Sequence, residues 1–130
     1  MKTLLPPGWP RPKGYSNGIS ATGRLIVTAG VVGWDAEENF PSPSLVDQFE
    51  QALRNIVAIL AEDGAGPEHI VRMTCYVIDI DAYRHHLPEI GAAWQRVMGK
   101  NYPAMALVAV NALVEPAAEI EIEATAVVSE

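Results

Sequence analysis

The closing stretch EIEIEATAV, residues 119–127, places Glu119, Glu121 and Glu123 in alternation with Ile120, Ile122 and Ala124. Side chains repeat every two residues in a β-strand and every 3.6 in a helix, so this pattern predicts a strand from Glu119 to Val128 with the carboxylates on one face. A one-residue slip would bury the glutamates, which pins the register. A second segment, AMALVAV at 104–110, is apolar at every position and predicts a strand from Ala104 to Val110. An open sheet carries polar residues on its solvent face, so a strand apolar on both faces requires both to be covered.

The rest of the chain supplies one cover. RLIVTA, Arg24 to Ala29, is a β-branched run ended by Gly30 and predicts a strand. Ser44 is placed as an N-cap, and Leu45, Phe49, Leu53, Ile56 and Leu60 recur at helical spacing up to Gly64. His69 to Ile78 alternates, with Val71, Met73, Cys75 and Val77 on one face and Arg72 and Tyr76 on the other. Asp79 or Asp81 caps a second helix with the stripe Tyr83, Leu87, Ile90, Trp94 and Val97, in which Pro88 marks a kink or restart and Gly99 the end. The order is roughly β-β-α-β-α-β-β. Right-handed crossovers then place both helices on the same sheet face. The cheapest cover for the other face is a second copy of the chain.

A length of 130 residues fits one domain, residues 1–130, in which four prolines (Pro6, Pro7, Pro10, Pro12) make 1–13 an irregular arm. Thr3-Leu4-Leu5 meets two prolines and a glycine at once, which argues against a signal-peptide core or a membrane span and leads us to expect a soluble, cytoplasmic protein. Nine basic against sixteen acidic residues give a net charge of −7, which repels a phosphate backbone, so nucleic acid is not expected as a partner. His69, His85 and His86 lack partners at zinc-ligand spacing, and no metal site is expected. The single cysteine, Cys75, lies in an apolar strand and reads as a buried small side chain, not as a nucleophile.

Six segments in order, KGYSNGI (13–19), LIVTAG (25–30), QALRNIVAIL (51–60), HIVRMTCYVIDID (69–81), YPAM (102–105) and IEIEATAV (120–127), resemble the RidA (YjgF/YER057c/UK114) superfamily. The resemblance implies an α+β, chorismate-mutase-like (bacillus type) fold with one mixed sheet and two helices on one face. It further implies a barrel-centred homotrimer with small-molecule clefts between neighbours. Members of the best-known type hydrolyse reactive enamines or imines such as 2-aminoacrylate, with no cofactor or metal.

In that type an arginine in a PAR motif grips the substrate carboxylate through a bidentate pair, and a glutamate in the closing strand places the attacking water and a proton. Carried over by position, the glutamate is Glu121, the cleft tyrosine is Tyr15, and the arginine falls on Met105. This chain is therefore similar to a divergent member without the carboxylate anchor. It also reads Ala29-Gly30-Val31 where active members read SGQ, and an asparagine of the second helix has Gly91 as one possible counterpart.

Loss of a charge-assisted contact worth roughly 1.5–3 kcal/mol predicts tenfold to a hundredfold weaker binding of small anions. Met105 and Trp34 would instead line an apolar, aromatic wall suited to a neutral or aromatic ligand. Among replacement cations (Arg11, Lys13, Arg24, Arg72, Lys100), Arg72 stands out because it shares a strand face with Thr74 and Tyr76. Two functions follow: an enamine/imine deaminase or related water-adding enzyme with Glu121 as general base and proton donor, or a non-catalytic small-molecule-binding trimer. Ribonuclease activity, also attached to the family name, ranks last on charge.

Overall fold

The computed structural model describes residues 1–130. Its strands are β1 (Lys2–Leu4), β2 (Gly18–Ser20), β3 (Arg24–Val27), β4 (Val31–Val32), β5 (Ile70–Val77), β6 (Ala104–Ala109) and β7 (Ile120–Val128). The helices are α1 (Leu45–Ala61), α2 (Ile80–His85) and α3 (Leu87–Met98), with a 3-10 turn at Pro67–His69. The fold is a single-domain α+β structure with a mixed sheet in the order β3-β7-β5-β6, and β4 pairs with β7 beside β3.

The expected helices form where their caps predict. Ser44 accepts a hydrogen bond from the Asp47 amide, and Asp79 accepts one from that of Ala82. Pro88 acts as a restart: the second helix divides at His86 into α2 and α3, with the proline in the first turn of α3, where its missing N–H costs nothing. Phe49, Leu53, Ile56 and Leu60 of α1 and Ile90, Trp94 and Met98 of α3 join Met73, Cys75, Val77, Ile120, Ile122, Ala124 and Ala126 of the sheet in one core cluster. Both long helices therefore cover the same sheet face.

Two corrections concern the first thirty-two residues. The arm is not wholly irregular: β1 pairs antiparallel with β2, Thr3 opposite Ile19, because three backbone positions ahead of Pro6 are free to donate. Val31-Val32, beyond the Gly30 expected to end the strand and begin a loop, forms β4 opposite Ile122 and Glu121; two residues are too few for period-two alternation to be visible.

Register assigns every open-face residue. Along β7 the helix face takes Ile120, Ile122, Ala124 and Ala126, and the other takes Glu121, Glu123, Thr125 and Val127. Leu25 lies opposite Val127 and Val27 opposite Thr125, while Ala104, Ala106 and Val108 lie opposite Arg72, Thr74 and Tyr76. Leu25 and Val27 are each 64% exposed and Val108 44%, so this face presents apolar flanks around a polar centre to solvent. Glu119 falls just before β7, where its amide donates to buried Gln48 at 2.7 Å. No helix is long and apolar enough to cross a membrane.

Candidate functional site

The edge of the sheet builds one cleft. Ser16 is buried beside β6: its amide donates to Pro103 O at 3.0 Å and its hydroxyl donates to Tyr102 O. This pairing draws the arm onto the sheet edge and sets Lys13, Gly14 and Tyr15 over the apolar space between β6 and α3. The resulting cleft, about 830 Å³, is lined there by Met105 and Leu107 from β6 and by Gly91, Trp94 and Gln95 from α3. Its volume lies within the range of small-molecule sites.

The wall is aromatic and offers donors. Trp94 stacks on Tyr102 at 6.1 Å with ring planes 7° apart, and on Phe49 at 6.5 Å. The Trp94 indole N–H is buried with no hydrogen-bond partner, a deficit that ordinarily costs about 1–3 kcal/mol. Tyr83 also lines the cleft, and burial pushes its phenol above the usual range, with nearby Cys75 adding to the shift. It remains a neutral donor at physiological pH. A Cβ at Gly91 would meet nothing within 4 Å, so absence of a side chain there widens the space.

Glu121 stands apart from this cleft. It lies opposite Tyr76 on the open sheet face, and its carboxylate rests over Gly30, where an added Cβ would come 2.8 Å from Glu121 Cδ. The lack of a side chain at Gly30 thus makes room for the carboxylate by close approach, not by φ. Beside it, the Tyr76 phenol donates to Glu123 at 2.7 Å; that bond, followed by burial and the carboxylates of Glu123 and Glu121, raises the Tyr76 pKa, which Arg72 opposes.

Of the residues singled out by sequence, Tyr15 and Met105 are brought together in the cleft. Within one chain, Glu121 and Arg72 lie on the opposite sheet face, because residues an odd number apart on a strand point to opposite sides. Trp34 does not reach the cleft of Tyr15. It packs against Phe40 at 5.8 Å, and its carbonyl accepts from Asn55 at 2.8 Å, which ties its loop to α1. Lys13, one of the five candidate replacement cations, lines the cleft; Gln95 and Tyr83 line it too, although Tyr83 reads from sequence as core stripe and no local pattern marks Gln95. No group of three His, Cys, Asp or Glu side chains is placed to hold a metal. Cys75 is buried, and desolvation pushes its thiol up to about 12, consistent with a packing role.

The fold and its edge cleft define a class of compact, single-domain α+β proteins. Residues 10–128 match the family described as Endoribonuclease L-PSP. A RutC family protein of Aquifex aeolicus is 33% identical over 128 residues, covering 98% of this chain and 99% of that one. Among solved structures, the Rid-family protein YyfB of Yersinia pestis, of unknown function, superposes with a TM-score of 0.85 at 29% identity, covering 98% of each chain. A YjgF/YER057c/UK114 member from Mycobacterium tuberculosis is 34% identical with a TM-score of 0.67, covering 89% of this chain and 88% of that one. The chain belongs to the RidA/YjgF superfamily.

Proposed function

We propose that this protein is a RidA-like hydrolytic enamine/imine deaminase, or a related water-adding enzyme, acting on a small neutral or aromatic metabolite in clefts completed between copies of a homotrimer. One observation carries the reading: Tyr15 and Met105 line a cleft on the helix face, whereas Glu121 sits over Gly30 on the other face. A second copy docked on the exposed Leu25, Val27 and Val108 surface would bury it and bring one chain's Glu121 toward its neighbour's cleft.

The chemistry needs only water and a proton carrier. Glu121 takes a proton from water as the oxygen bonds to the imine carbon, and the nitrogen is protonated. The hydroxyl proton of the resulting carbinolamine then passes to its nitrogen through Glu121 as the C–N bond breaks, and ammonia and a carbonyl product leave. An enamine enters the same route after protonation at carbon. Met105 and the Trp94-Tyr102 wall would hold the apolar body, and the Tyr15 phenol would orient it. The cleft lining contains no carboxylate or histidine, so a base must come from outside it.

A second reading, a non-catalytic small-molecule-binding trimer, is favoured by the methionine at position 105. Ribonuclease chemistry is disfavoured by the net charge of −7. The deciding test follows ammonia release from a panel of small and aromatic imines generated in situ, using native protein and Glu121→Gln. Native acceleration lost in the variant supports the deaminase. No acceleration of any member over buffer supports the binding protein.

A further inference from the structure

We infer that Lys13 replaces the missing arginine as the anion anchor, and that the cleft takes a planar aromatic monocarboxylate. This rests on the reading of the Tyr15-Met105 cleft as the ligand site and narrows its ligand class.

The positions of the cations carry the inference. Arg24 is committed to Asp63 and Glu130. Within one chain Arg72 lies on the far side of the sheet, on the face that carries Glu121 and Glu123, and Arg11 and Lys100 line an adjoining cleft beneath the arm that shares only Gly14, Tyr15 and Tyr102 with this one. Lys13 is the one charged residue in the Met105 cleft, and it makes no ion pair or side-chain hydrogen bond. It is held there by its short link to Ser16, which pairs along β6 at Ala104. A lysine at this point is a flexible point charge, whereas an arginine at 105 would present a planar fork from within the wall.

The remaining lining agrees with an anion carried on a ring. Tyr15, Tyr83 and Gln95 line it with N–H or O–H donors, and no acidic side chain opposes them, although the protein as a whole is at −7. The Trp94 indole, 5% exposed, carries a donor that nothing in the chain satisfies. Beside it Tyr102, half-buried and stacked on Trp94, gives the wall an aromatic ring, and the open space at Gly91 gives room for more than a three-carbon substrate. Charge at the mouth and aromatic rings on the wall fit a carboxylate whose body is one or two fused rings.

The test is calorimetric titration of the full chain with 2-naphthoate and with 2-naphthamide, which share a ring system and differ in charge. The native protein is expected to bind the carboxylate about tenfold more tightly than the amide. Lys13→Met should abolish that preference, Lys13→Arg should keep it, and Lys100→Met, with the same change in net charge, should leave it intact. Equal binding of the two probes by native protein, a preference that survives Lys13→Met, or no binding of the carboxylate would each overturn the inference. Equal binding would leave the cleft standing as an aromatic site without an anion anchor. Whether the cleft is catalytic is judged separately by the imine panel and Glu121→Gln.

Discussion

Met105 and Glu121 project from opposite faces of one sheet: Met105 lies opposite Met73, which is buried against the helices, and Glu121 lies opposite Tyr76 on the open face. The strand between them, β5, pairs with β6 along one edge and with β7 along the other. On the proposed reading, a single chain would carry two half-sites that association of copies brings together.

Gly30→Ala tests the contact that fixes Glu121. The new Cβ would overlap the end of a flexible side chain, which can rotate away, so the melting temperature should change little. The carboxylate would leave its resting place. Imine hydrolysis, where native protein shows it, should fall toward the level of Glu121→Gln, and full activity in Gly30→Ala would show that this position of the carboxylate is immaterial.

Met105→Arg restores a fork to the cleft wall. Small anionic enamines such as 2-aminoacrylate should gain roughly tenfold to a hundredfold in kcat/KM. Stopped-flow decay of the enamine, at equal protein concentration, gives the comparison. No gain would indicate that the wall geometry as well as the residue has changed.

Val27→Glu places a charge within the apolar flank of the open face. If copies cover this surface, a buried unpaired carboxylate should prevent their association. Light scattering should then report a monomer of 14.0 kDa in place of a threefold larger species. An unchanged mass would place the contact elsewhere.

Glu50 links two helices, accepting from Arg96 of α3 at 2.6 Å and from Arg54 one turn along α1 at 2.7 Å. The hydrogen bond from Arg96, then that from Arg54, holds its carboxyl below the ordinary value of 4.5. A depressed folded-state pKa stabilises above the unfolded pKa and is lost as pH falls through the folded value. Glu50→Gln should thus cost about 1 kcal/mol at pH 7 and nearly nothing at pH 2, as read by urea unfolding at both.

Cys75 should resist alkylation. With its thiol near 12 and its side chain fully buried, iodoacetamide at pH 8 should label the folded protein only through unfolding. Rapid labelling of native protein would contradict the packing role.

The expected long strands and both helical regions were legible because each satisfies a local rule. Period-two alternation marks β5 and β7, three- and four-residue spacing marks α1, and Ser44, Asp79 and Pro88 punctuate the helices. The hairpin of β1 and β2 was not legible, since three-residue strands among prolines carry no period and exist by pairing across fourteen or more residues. Trp34 and Arg72 illustrate a different limit. Within one chain, a loop tied to Asn55 and a strand face set them away from the cleft of Tyr15, a placement that their own residue types do not encode.

By itself, then, the sequence determined the family, the principal elements, the apolar faces and the absence of arginine at 105, because all of these are written in neighbouring residues. Only the tertiary structure decided that Tyr15 and Lys13 meet Met105 while Glu121 does not. The hydrogen bonds of Ser16 with Tyr102 and Pro103 join segments 86 residues apart, and no local pattern encodes a contact between two surfaces that the chain must first fold to create.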